Sequence, residues 1–103
     1  MEKLTKLQLD NNIITKMKGL SSLVNLKWLD LSFNLIEKIE GLENCKKITD
    51  LTLYSNHISV LSGLENLKEL NVLSVGANKL KNLEDTVKYL QRLKNKLEVL
   101  RIS

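Results

Sequence analysis

The sequence predicts an α/β solenoid, in which short strands stack at a fixed spacing and one outer segment is helical. Three observations predict it. The phrase LKWLDLSFNLIEKIEGL at residues 26–42 returns as ITDLTLYSNHISVLSGL at residues 48–64. The same columns of Leu, Ile and Asn run through four copies spaced 22 residues apart. In the fourth copy the spacing lengthens, and apolar residues there recur at three- and four-residue steps. Self-similarity at such a period marks units that are each too small to bury their own apolar face and must stack to do so.

The units are 4–25, 26–47, 48–69 and 70–96, with a partial fifth at 97–103, all within one domain spanning 1–103. In each, Leu-x-Leu alternation predicts a short strand whose repeated side chains point into the solenoid. These are Leu7 and Leu9, Leu29 and Leu31, Leu51 and Leu53, and Leu73 and Val75. The strands are predicted near 6–10, 28–32, 50–54, 72–75 and 99–102. An Asn follows in each full unit: Asn12, Asn34, Asn56 and Asn78. An amide carries both donors and an acceptor. Stacked amides can satisfy the backbone groups left free where the chain turns off each strand. The outer parts of the first three units carry Gly19-Leu20, Gly41-Leu42 and Gly63-Leu64, closed by the apolar residues Leu23, Cys45 and Leu67. The fourth outer part, NLEDTVKYLQRLKNK, is longer. Val87, Leu90, Leu93 and Leu97 are at helical spacing, and Glu84 precedes Lys88 by four in the favourable order for a helix pair. They predict an α-helix from about Glu84 to Lys94.

These letters resemble the 22-residue variety of the leucine-rich repeat, over essentially the whole chain. The resemblance implies a right-handed solenoid with a parallel concave sheet of about five short strands and short 3₁₀ or helical outer segments. The stretches WLDLSFNLIEKIEGLENC, LTLYSNHIS and LSVGANKLKNLEDTVKYL are more narrowly similar to the axonemal leucine-rich repeat proteins. These include the leucine-rich subunit of the nexin–dynein regulatory complex and the outer-arm dynein light chain. What that similarity implies is a cytoplasmic dynein-regulatory component of the cilium or flagellum axoneme or the cytoskeleton, with an axonemal or cytoskeletal subunit as its protein partner. The regulatory subunit of protein phosphatase 1 shares the consensus, which implies the phosphatase catalytic subunit as an alternative partner. A leucine-rich component of an RNA–protein particle is a third reading. The repeats begin and end abruptly, with almost no polar cap, and end faces of solenoids are apolar. They read as a fragment of a longer protein.

Composition narrows the chemistry. Net charge is +4, from 16 basic and 12 acidic residues, a mild excess that fits a solvated Lys-rich surface better than a nucleic-acid patch. The single Cys and the lack of an Asn-x-Ser/Thr acceptor or signal peptide favour a reducing, intracellular setting. No apolar run approaches the roughly 20 residues that span a bilayer. One His and one Cys supply no catalytic constellation, no metal-ligand cluster and no cofactor site, so the sequence points away from an enzyme and from a small-molecule substrate. Cys45 falls in the apolar column of Leu23 and Leu67 and reads as a core residue; His57 reads as a partly exposed loop residue.

What remains is the surface made by the unrepeated letters. Alternation sends the third, fifth and seventh positions of each unit to the concave face. Trp28, Phe33 and Tyr54 stand at variable positions of consecutive units, where the repeat requires no aromatic. Exposed aromatics on a rigid face are typical anchors for a protein partner. The candidate partner-binding residues are therefore Trp28, Asp30, Phe33, Asp50, Tyr54 and Val72, with the two carboxylates favouring a partner that presents Lys or Arg.

Overall fold

The computed structural model describes residues 3–81, 83–93 and 99–101. The elements are β1 (Lys6–Gln8), β2 (Trp28–Asp30), β3 (Asp50–Thr52), β4 (Val72–Ser74), α1 (Leu83–Leu93) and β5 (Val99–Arg101). The strands make one parallel sheet in the order of the sequence, β1-β2-β3-β4-β5. Lys6, Trp28, Asp50, Val72 and Val99 pair in one row, so the register advances by one repeat at each strand. The periodicity of the letters and the stacking of the sheet are the same fact.

The repeated apolar columns form the core. Leu26, Ile36, Ile48, Leu51, Leu53, Ile58, Leu64 and Leu73 are fully buried. Leu4, Leu7, Leu9 and Ile14 of the first unit are packed against this core but only partly buried, since the described residues cover them from one side only. Cys45 is buried in the column its spacing assigns it, and its thiol donates to Leu20 O at 3.3 Å. Burial, and to a lesser degree the charge of Glu43, push that thiol's pKa up.

The strands are shorter than the alternation suggests. Cross-strand bonds nevertheless continue past them: Leu9 N–H donates to Asp30 O at 2.8 Å and Asn11 N–H to Ser32 O at 3.0 Å. The chain then turns through a left-handed residue at the eighth position of each unit, with φ of 59° at Asn11, 55° at Phe33, 58° at Ser55 and 52° at Ala77. That turn ends the strand, and the Asn one residue on completes it. Asn56 Nδ2 donates to Leu53 O of its own unit at 3.1 Å and Leu31 O of the unit before at 2.9 Å, while its Oδ1 accepts from Ile36 N–H at 3.1 Å. Asn34 and Asn78 repeat this pattern one unit to either side. Asn12 reaches only Leu9 O and Asp10 O in its own unit and is exposed.

The first three outer segments turn by isolated three-residue bonds. In the second unit Cys45 N–H donates to Leu42 O and Ile48 N–H to Cys45 O, at 3.0 and 3.4 Å. Such bonds on residues three apart put an apolar side chain inward at each step, without a continuous 3₁₀ helix. The fourth carries α1, which opens with Glu84 and Asp85 in its first turn, where negative charge suits the helix dipole. α1 runs one residue earlier than the expected range at its start; Lys94 and Ile102 lie outside the described residues. Of the stripe read from spacing only the side chain of Val87 is among those described; Leu90, Leu93 and Leu97 lie outside them. Val87 is 40% exposed, whereas Thr86 is buried and Tyr89 packs against the core.

Candidate partner-binding face

Strand alternation and register place the unrepeated letters in rows. The third-position row runs Lys6, Trp28, Asp50, Val72, and the fifth-position row Gln8, Asp30, Thr52, Ser74. Neighbours in a row are about 4.8 Å apart. Trp28, Asp50 and Val72 are thus consecutive on the concave face, and Asp30 follows Trp28 on the same side of β2.

Trp28 is half-buried, and Lys6 Nζ lies 4.6 Å from its ring centroid in a cation–π contact. Tyr54 and Phe33 remain 38% and 50% exposed, so neither is absorbed into a turn. Their rings meet edge to face at 5.7 Å between centroids and 68° between planes. Phe33 occupies the left-handed position, which a bulky residue adopts only at a cost. Asp30 Oδ1 accepts from the Ser32 backbone N–H at 2.9 Å and its hydroxyl at 2.6 Å. Asp50 Oδ1 accepts from the Thr49 hydroxyl at 2.8 Å. Val72 is half-buried in the next strand.

The structure adds residues that the columns alone did not single out. Ile13 and Leu35, at the tenth position of their units, are 83% and 40% exposed. Leu35 and Phe33 line an open depression where the chain leaves the strands, together with Ser55, His57, Ala77 and Lys79. The sequence signal of Ile13 and Leu35 was an apolar side chain at a position where the repeat elsewhere accepts His57 or Lys79. Lys6 joins the site through its contact with Trp28. Among the described residues no three His, Cys, Asp or Glu side chains gather as a metal site, and no helix is long and apolar enough to cross a membrane. On the outer side, Lys88 pairs with Glu84 at 3.5 Å in solvent. What the face offers chemically is apolar contact, a cation-attracting ring and fixed carboxylate acceptors.

A leucine rich repeat family model matches residues 2–58, over half of the chain. The chain belongs to the leucine-rich repeat family. Solved structures agree with its solenoid. An internalin of Listeria monocytogenes (InlF) is 32% identical over 98% of this chain, with a TM-score of 0.85, and the match covers 29% of that protein. Internalin C2 of the same organism is 27% identical over 99% of this chain, with a TM-score of 0.80 and 43% of its own length covered. A leucine-rich repeat protein of Leptospira interrogans is 30% identical over 93% of this chain, with a TM-score of 0.81 and 25% covered. This leucine-rich repeat chain therefore spans less than half the length of each of these structures. No curated protein matches it. The leucine-rich repeat match suggests a protein-interaction scaffold.

Proposed function

We propose that the chain is a non-enzymatic protein-binding module that receives its partner on the concave face, with Trp28 and Tyr54 as anchors. Phe33 and Val72 extend the apolar surface, and Asp30 and Asp50 border it. One observation carries this reading. Nearly every repeated apolar column from the second unit on is buried, while the aromatics that the repeat does not require stay accessible on two adjacent units. Truncating a hot-spot aromatic costs about 2 kcal/mol or more, roughly thirtyfold in affinity.

An axonemal dynein-regulatory role, or a phosphatase-regulatory role, rests on the likeness of WLDLSFNLIEKIEGLENC and its neighbours alone. The structures matched above are bacterial. Capture from extracts of ciliated cells tests both levels at once. The wild-type chain should retain a partner that Trp28→Ala and Tyr54→Ala lose and Lys88→Ala keeps, all with unchanged melting. Recovery of a dynein or nexin-link subunit supports the axonemal role, and recovery of the phosphatase catalytic subunit supports the alternative. Loss of binding in Lys88→Ala with retention in both aromatic variants contradicts the concave-face reading.

A further inference from the structure

Over the first three units the concave face has the opposite charge to the molecule that bears it. The chain has 16 Lys and Arg against 12 Asp and Glu. Yet the concave positions of the first three units hold three carboxylates, Asp10, Asp30 and Asp50, against a single cation, Lys6. Asp30 and Asp50 each have one oxygen, Oδ1, fixed by hydrogen bonds to Ser32 and Thr49. Their Oδ2 atoms have no partner among the described residues. The two carboxylates flank Trp28, Asp50 from the neighbouring strand and Asp30 from its own. The concave cation of these three units is already seated on that ring, with Lys6 Nζ 4.6 Å from the centroid. Lys6 is exposed and on the edge strand, so its ammonium can leave the ring for water at little loss.

We infer that the concave face takes a basic segment of a partner protein, and that one Lys or Arg of this segment takes the place of the Lys6 ammonium on Trp28, with Asp30 of the same strand and Asp50 of the next adding the attraction of two carboxylates. The inference rests on the concave-face reading above and adds the chemistry of the partner. The indole face attracts a cation through its ring quadrupole. Both carboxylates are already held through one oxygen, so little ordering is lost on binding. A guanidinium fits best, since it stacks on a ring and donates to carboxylates in the same plane. Apolar residues beside that cation would meet Tyr54, Phe33 and Val72. An acidic segment or a nucleic acid would instead meet three like charges, which disfavours it.

The probe is a random peptide library displayed on phage and selected on the immobilised chain, with the recovered peptides then synthesised. Trp28 is the sole tryptophan, so its emission reports binding at the seat itself. Recovered peptides should carry Lys or Arg beside an apolar residue and shift Trp28 emission. They should bind about tenfold more weakly to Asp30→Asn/Asp50→Asn, and lose affinity as salt rises. Lys6→Met, which empties the seat, should strengthen them by roughly two- to fivefold, the worth of an exposed cation–π contact. An acidic or nucleic-acid occupant reverses the sign of the Lys6 and Asp effects. The inference is overturned if no peptide is recovered, if neutral or acidic peptides dominate, or if the double Asp variant binds as the parent does. Peptides that bind Trp28→Ala and Tyr54→Ala unchanged sink the concave-face reading itself, a different outcome from loss of the charge effect alone.

Discussion

Gly41 and Gly63 sit directly against the unit before them. A Cβ built on Gly41 would lie 2.7 Å from Met17 O, and one on Gly63 2.9 Å from Ile39 O. Gly19 has the same left-handed backbone, with φ of 73°, but nothing within 4 Å of that point. The three glycines therefore separate two effects. Gly19→Ala should lose about 1–2 kcal/mol from the left-handed backbone alone. Gly41→Ala should lose more, because the unit before it must also move, adding about 1–3 kcal/mol of overpacking. Thermal melts of the two variants check the order, and equal losses would contradict the contact. The Asn column makes a second internal comparison. Asn56→Ala leaves buried backbone groups unpaired, at about 1–3 kcal/mol for each group affected, whereas exposed Asn12→Ala should change stability little. The letters announced the Asn column but not the left-handed residue before it. Asn11, Phe33, Ser55 and Ala77 share no side-chain chemistry, because what they have in common is a backbone angle.

At the scale of elements, α1 is tied to the third outer segment by Tyr89. Its hydroxyl accepts from Leu64 N–H at 2.9 Å and donates to Glu65 Oε1. That bond, with weaker help from backbone N–H groups and against a smaller desolvation effect, holds the Glu65 carboxyl below its ordinary pKa. A depressed folded-state pKa stabilises the fold above the unfolded carboxylate value, and this contribution is lost as pH falls through the folded value. Tyr89→Phe should thus melt lower at neutral pH and show a shallower decline of melting temperature in the acid range. An unchanged acid profile would show that the tie does not govern Glu65. The helix was legible from its stretched spacing and its Glu84–Lys88 pair, now seen at 3.5 Å. The inward placing of Thr86 and Tyr89 was not, because it depends on partners their polar atoms find at Lys81 O and Leu64 N–H. The strands came out shorter than their alternation, although cross-strand bonds run on to the left-handed residue at the eighth position.

Across the whole molecule, letters divide by whether they repeat. Columns that repeat build a parallel sheet with a buried core, and this part was legible because register and period coincide. Letters that do not repeat lie on the concave face and its rim. Their placement could be read from alternation, but the exposure of Phe33 and Leu35 and the seating of Lys6 on Trp28 depend on side-chain contacts between units. The sharpest test of this division uses two adjacent residues. Leu53 is fully buried in a repeated column, and Tyr54, next to it, is 38% exposed in an unrepeated one. Leu53→Ala should lose about 2–5 kcal/mol of stability to a core cavity. The deciding measurement is the affinity of Tyr54→Ala for the captured partner, taken by titration calorimetry beside a melt of the same sample. The account predicts about thirtyfold weaker binding at an unchanged melting temperature. Parent-like affinity in Tyr54→Ala, or a melting loss as large as that of Leu53→Ala, would contradict it.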